Sequence, residues 1–565
     1  MTDSSPTPRR VPRTVPLILA TLLASALGAS AQTLAEVTAE LAEALPAEAK
    51  EGRFAYAQRL TVDAERPYVL RYERTELDER DPDTYGYAIN LGLVWRARAE
   101  SDRFGATVTV QGKNAPIAAA YKNGEAMGFK DAVDVLAGDL ETARRLDELF
   151  EAAAELAAAA FAADNALPSD EVGLRAYLAE RVVDLELEDG PTKQRLSFPA
   201  DGDEPLLLTR EDPDGDTYRS RVFVDDLSAK AISVLPRGEL LHVRVRTEGE
   251  RHLVRYVDED EDVDYRTELV LRTTDLQQAE QLRAAFAALI PLARARAEAT
   301  RERFASKDAA AQRLAETVAA AELEDAEQAV SGVCELTLTR EIGGRNPRTE
   351  TAAVAVGDLD PRSIGVEAGG STFGIFGSST LRLRAGVRRD ERLVSLAEDG
   401  EPDGFADAWR VELATLEQAR AALHALTYLA EQCTVSVNTP TTEELLELLT
   451  DDSLDAGKLE QRAELGGDAD CELTLTHVVA RGRTSLERVY TVPLAGLDPA
   501  AIRLAVRADE IGVELETRDS EDIIEVIRDG GELRYDDEVE VRISSVAAAR
   551  RVRAGLQALV EGCRA

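Results

Sequence analysis

The chain has 565 residues and a mass of 61.3 kDa, room for about four domains at ~150 residues each. It carries 66 Lys+Arg against 106 Asp+Glu, a net charge of −40 and a pI near 4.6. That excess argues against nucleic acid and against an anionic membrane surface, since both are recognised through Lys and Arg.

At the N-terminus, Arg9, Arg10 and Arg13 precede an apolar run from Val15 to Leu27, then Ala29-Ser30-Ala31 before Gln32. These are the n-region, h-region and small-x-small site of a secretory signal peptide, with cleavage between Ala31 and Gln32. The run is too short to span a bilayer, which takes ~20 residues. Val11-Pro12-Arg13 fits the twin-arginine signal poorly, so the general secretory route is expected. The removed segment holds Asp3 and three arginines, so the mature chain carries −40 − 2 = −42. Abundant Ala and a preference for Arg over Lys match a GC-rich bacterial genome. The expected location is therefore periplasmic or secreted, with the mature chain soluble.

After the signal, the pattern is one of repetition. Helical, Ala- and Glu-rich stretches at about Leu34–Glu48, Asp308–Ala321 and Glu443–Gly457 read as linkers or outer helices. Asp81-Pro82-Asp83-Thr84-Tyr85 matches Asp212-Pro213-Asp214-Gly215-Asp216-Thr217-Tyr218 as an early hairpin turn, and Asn123-Gly124 is a second hairpin signal. Cys334-Glu335-Leu336-Thr337-Leu338-Thr339 recurs letter for letter from Cys471 to Thr476. Each copy leads to Leu-Asp-Pro, at Leu359 and at Leu497. Four helices close the repeats. Their apolar stripes start at Leu140, Leu276, Leu416 and Val546 and all step by 3, 3, 4 and 3, one face of a 3.6-residue helix. Asp139, Asp275, Thr415 and Ser545 stand where an N-cap belongs, with Gln278 and Gln418 placed to complete capping boxes.

The expected architecture is α+β, with a signal at 1–31 and repeats at 32–165, 166–305, 306–437 and 438–565. Each repeat is an antiparallel β-meander or bent barrel of about six or seven strands closed by one C-terminal amphipathic helix. This order of elements resembles the pleckstrin-homology superfold over each unit of ~100 residues. A simpler four- to five-stranded sheet with one helix on its face is the alternative. The resemblance implies phosphoinositide binding through basic hairpin loops. Here the corresponding tips are acidic (Asp81, Asp83, Asp258–Asp264, Asp536, Asp537), so lipid binding does not carry over.

Candidate chemistry is sparse. Asp212, Asp214 and Asp216 are spaced like the start of a calcium loop, but Val222 and Phe223 stand where its last acidic ligand belongs. A hairpin tip is the plainer reading. The glycine-rich stretch Gly369–Gly377 lacks the Lys-Ser/Thr of a phosphate cradle, and its Phe373 and Phe376 suggest a contact loop. His242, His252, His424 and His477 stand alone, without metal-ligand spacing. No nucleophile elbow occurs, no catalytic set is named and no cofactor is expected. The four cysteines, in an oxidising compartment, pair by the repeat register as Cys334 with Cys433 and Cys471 with Cys563. The function expected is a non-enzymatic binding or scaffolding module of the bacterial cell envelope, whose partner is an envelope protein or polymer, preferably basic. The alternatives are an envelope hydrolase with an acidic site in one divergent repeat, and a calcium-binding extracellular module.

Overall fold

The computed structural model describes residues 32–564 apart from 78–79, 104, 114, 188, 200–203, 301–302, 324–325, 369–379, 455–457, 468–470, 482–483, 508–509 and 530. Ala31 of the cleavage site and the loop with Phe373 and Phe376 lie outside the described residues. The remainder is mixed α+β, with helices set among antiparallel sheets.

The first larger sheet runs from edge to edge as Glu48–Glu51, Phe54–Val62, Val69–Glu76, Thr84–Asn90, Ala118–Lys122 and Glu125–Lys130. Between its fourth and fifth strands the chain leaves to start a three-stranded sheet of Val94–Asp102, Gly105–Gly112 and Ala132–Leu136. The same excursion recurs three more times among the described residues, each time pairing a larger sheet with a three-stranded one. A pair thus holds eight or nine described strands instead of six or seven. The extra ones are very short edge strands and partners across tight hairpins, which read as turns in sequence. Alternation buries one face of each larger sheet: Leu70 and Tyr72, Leu206 and Leu208, Leu336 and Leu338, Leu473 and Leu475.

The helices are α1 Leu34–Ala44, α2 Leu140–Asp164, α3 Glu171–Arg181, α4 Leu276–Thr300, α5 Lys307–Ala319, α6 Leu416–Gln432, α7 Thr442–Leu449 and α8 Val546–Arg564. Their stripes are buried along Ala143–Leu146–Phe150 in α2, Ala279–Leu282–Phe286 in α4, Ala419–Ala422–Leu426 in α6 and Ala549–Val552–Leu556 in α8. Leu140, expected to open the first stripe, is instead 39% exposed. Asp139, Asp275, Thr415 and Ser545 all accept a backbone N–H of the following turn. Gln418 completes its capping box. Gln278 does not: its amide donates to the Arg181 carbonyl, and its carbonyl accepts from the Thr273 hydroxyl. The stretches expected as linkers or outer helices contribute to the cores. α1 packs on α2 through Val37 and Leu41, and α5 packs on α6 through Ala310, Leu314 and Val318.

The residues form two compact units. One is built on the chain up to Leu185 with Ile232–Arg244 and Val270–Ala288, the other on Glu186–Ala231, Val245–Leu269 and the chain from Leu289 onward. Within the second unit, successive sheet pairs are tied by side chains. Arg420, in the first turns of α6, reaches Asp225 and lies 3.3 Å from Asp226, with its guanidinium 3.8 Å from the Phe223 ring centroid. Arg550, at the same place in α8, reaches Asp358. These acids sit in short 3₁₀ turns, Asp225 and Asp226 in Val224–Asp226 and Asp358 at the end of Val356–Asp358. Trp409 is fully buried and donates its indole N–H to the Ala352 carbonyl at 3.3 Å, whereas Trp95 is 56% exposed.

Cys334 is bonded to Cys433 and Cys471 to Cys563, with Cα atoms 5.5 Å apart in each pair. Cys334 stands just before Glu335–Ile342, the second strand of its sheet, and Cys471 just before Glu472–Arg481, the third of its sheet, and each is bonded to the end of the closing helix. Ala157 and Ala293, at the matching helix positions of α2 and α4, are fully buried, so a methyl group fills the space a sulfur takes elsewhere.

Candidate functional site

One transverse row of residues crosses the buried-side face of every larger sheet, and it begins with a buried glutamine. In the first sheet the cross-strand register places Gln58, Arg74, Tyr85, Lys122 and Glu125 in line. In the second it aligns Gln194, Arg210 and Tyr218. The third row is Gln328, Arg340, Glu350, Glu398 and Glu401, and the fourth is Gln461, His477, Arg488, Arg528 and Glu532.

The glutamines fasten the two sheets of a pair together. Gln58 donates to the Leu136 carbonyl at 2.9 Å. Gln328 donates to the Glu412 carbonyl at 3.0 Å and accepts the Glu412 N–H at 3.2 Å. Gln461 makes the same two bonds with Arg542, at 3.1 and 2.9 Å. A primary amide alone offers donors and an acceptor side by side without charge, so it can satisfy a strand's N–H and C=O together. Leu136, Glu412 and Arg542 occupy corresponding places in the last strand before the closing helix.

Next to the glutamine stands a base in every row, and its surroundings differ. Arg74 pairs with Glu51 at 3.1 Å and lies between the Tyr56 and Tyr85 rings, 5.1 and 5.6 Å from their centroids. Arg210 pairs with Asp212 at 3.0 Å and stacks on Tyr218 at 4.3 Å. Arg340 shares the Glu412 carboxylate with Arg382, one guanidinium on each oxygen at 2.9 and 3.2 Å. A cavity of ≈ 350 Å³ opens there, with Arg340, Arg382, Arg410, Glu350 and Glu398 around a floor of Leu338 and Leu396. Its size suits a small ligand, but its cations and carboxylates are largely paired with one another. In the fourth row the base is His477, 9% exposed, packed edge-to-face with Tyr490 at 5.2 Å between ring centroids. Burial first, and then Arg542 and Arg488, lower its pKa to about 4, so the imidazole is neutral at pH 7.

A second, wider cavity of ≈ 910 Å³ lies by the turn Glu51–Phe54, lined by Lys50, Arg53, Phe54, Thr107 and Asp134 among others. The Arg53 guanidinium lies 4.8 Å from the Phe54 ring centroid, and the Thr109 hydroxyl donates to Asp134 at 2.6 Å.

The chain matches no protein-family model, and no curated protein is similar to it.

Asp212, Asp214 and Asp216 form the tip of the hairpin between the second sheet's third and fourth strands. The Asp212 N–H donates to the Asp216 carbonyl at 3.0 Å, and the Gly215 N–H to the Asp212 carbonyl at 2.9 Å. The Asp212 carboxylate is taken by Arg210. Among the described residues no group of three or more His, Cys, Asp or Glu side chains is arranged to hold a metal ion. The four cysteines are spent in the two disulfides. Of the histidines, His252 works in the backbone: its N–H donates to the Val366 carbonyl at 2.8 Å, and its Nδ1 accepts the Ala368 N–H at 3.1 Å. The sequence reading singled out neither the glutamines nor the row beside them. The signal was there, a Gln in the strand before each Leu-x-Leu or Leu-x-Tyr run.

Proposed function

We propose that this protein is an exported, non-enzymatic binding or scaffolding protein of the bacterial cell envelope. Four tandem units carry it, each with the closure of the pleckstrin-homology superfold, and it acts in the periplasm or outside the cell once residues 1–31 are removed. The observation that carries this reading is the transverse row. One framework of Gln and base is kept, while the neighbouring residues change from Tyr and Lys to two Glu to two Arg. A catalyst needs a single constellation, whereas an array of binding modules keeps the frame and varies what it presents. Two disulfides suit an oxidising compartment, and no helix among the described residues is long and apolar enough to cross a membrane. The net charge of −42 after cleavage favours a basic envelope protein or polymer as partner.

The test has two arms. Cell fractionation should recover the chain beginning at Gln32 outside the cytoplasmic membrane, and the immobilised chain should retain an envelope component that salt releases. Cytoplasmic recovery with Met1 retained, or turnover of glycan or ester substrates abolished in D214N/D216N, would overturn it.

A further inference from the structure

We propose that the fourth transverse row is a binding site for a small oxyanion, a carboxylate or phosphate group held between Arg488, Arg528 and His477. The inference rests on this row alone and does not depend on export or on the repeat count.

Three observations carry it. First, register sets His477, Arg488 and Arg528 side by side on three neighbouring strands, facing the same way. Among the described residues no other row aligns bases in this manner: the third places Glu350 and Glu398 at the positions of Arg488 and Arg528, and the first alternates Arg74 and Lys122 with Tyr85. Second, among the described residues no ion pair answers those charges, and only Glu532 feels the Arg528 guanidinium electrostatically. The Nε atoms of Arg488 and Arg528 and the Nε2 of His477 are shielded from solvent and have no hydrogen-bond partner. Among the described residues no carboxylate comes within ion-pairing distance of Arg488 or Arg528. Glu532, across from Arg528, is held by Arg534 at 2.8 Å. Arg542, the fourth cation here, is already occupied by Glu510 at 2.5 Å and Glu540 at 3.5 Å. Third, His477 is buried against Tyr490 and lies within electrostatic reach of Arg488 and Arg542, while Arg528 stands one strand beyond Arg488 on the same face.

Buried Nε atoms without a partner occur at other arginines too, Arg74 and Arg340 among them, so the distinguishing feature is two neighbouring guanidiniums without an ion pair in a chain with 106 acidic residues. An oxyanion answers both. The guanidinium forks match two of its oxygens, and neutral His477 donates one N–H, or two once protonated. Arg340 also keeps an unpartnered Nε, but its charge is met by Glu412 at 2.9 Å and Glu350 at 3.9 Å.

The probe is inorganic phosphate, then acetate, against chloride at equal ionic strength, on the full chain from Gln32. The readout is the titration of the His477 imidazole by NMR, assigned with H477Q. Bound oxyanion should raise the His477 pKa by about one unit, a tenfold linkage between proton and anion. R488Q and R528Q should each remove the rise, R488K should keep part of it, and R340Q in the third row should leave it intact. Calorimetry on the same variants reports binding directly, and circular dichroism confirms that each is folded. An unchanged His477 titration in both anions, or a rise that survives in R488Q and R528Q alike, overturns the site.

Discussion

Arg553 in α8 places its guanidinium 3.0 Å from the carboxylate of Glu391, a residue 162 positions earlier in the loop of the preceding sheet pair. The same oxygen accepts the Leu504 N–H at 3.1 Å, so one buried carboxylate ties a strand and a helix of one pair to the turn of the pair before it. The Glu391 side chain is only 6% exposed. Cutting this contact should therefore be expensive. E391A leaves Arg553 and the Leu504 N–H without an acceptor and should destabilise the second unit by about 3 kcal/mol. Replacing both partners, E391L with R553M, should recover most of that loss. Denaturant midpoints for the parent chain and these two variants check it, and equal losses for the single and double variants would refute it.

His477 makes stability depend on pH with a definite sign. Its folded pKa, about 4, lies below the ordinary 6.5, so the native chain resists taking up a proton that the unfolded chain accepts. Its contribution is complete above pH 6.5 and drains away as pH falls toward 4. The full difference is about 3 kcal/mol at 1.36 kcal/mol per pKa unit. H477F should flatten the stability curve in that window relative to the parent chain, whatever the many carboxylates add to both. The difference between the two curves, measured from pH 4 to 7, is the observable.

The glutamine fastener predicts a local loss. Q461L would strand the Arg542 N–H and carbonyl and the Leu449 carbonyl, to which Gln461 also donates at 2.7 Å. Each buried group left unmade costs about 1–3 kcal/mol. Hydrogen exchange at the Arg542 amide should accelerate well before the amides of the Cys471–Thr476 strand do. Uniform acceleration across the sheet would mean that the strand is held by other contacts.

The disulfides close loops of similar length, with sequence separations of 99 and 92. By the chain-entropy argument each should contribute ~4–5 kcal/mol as an upper bound. C334A/C433A and C471A/C563A should accordingly lower the unfolding midpoint by similar amounts. Reductant should then destabilise each double variant by about as much as its remaining bond contributes.

Much of this was readable in advance because it is local. The N-caps sit one residue before their stripes, and the two bonded cysteine pairs keep one register relative to Cys-Glu-Leu-Thr-Leu-Thr and to the helix. The transverse row was hidden for the opposite reason. Its members come from strands separated by turns of varied length, so only cross-strand register brings Gln461, His477, Arg488 and Arg528 into line. The residues beside the base also change sign from Glu350 and Glu398 to Arg488 and Arg528, which conceals that they occupy one position. Gln278 shows a third limit: its place suits a capping box, but a partner on α3 claims the side chain.

The two tryptophans are distributed in a way that makes the protein report on itself. Trp409 sits dry in the second unit with its indole bonded to a carbonyl, and Trp95 faces solvent in the first. Their emission should therefore separate into a short-wavelength, iodide-inaccessible component and a red-shifted, readily quenched one. Because unfolding moves only the former to the red, the fluorescence of the intact chain follows the melting of the unit that holds both disulfides and is nearly blind to the other.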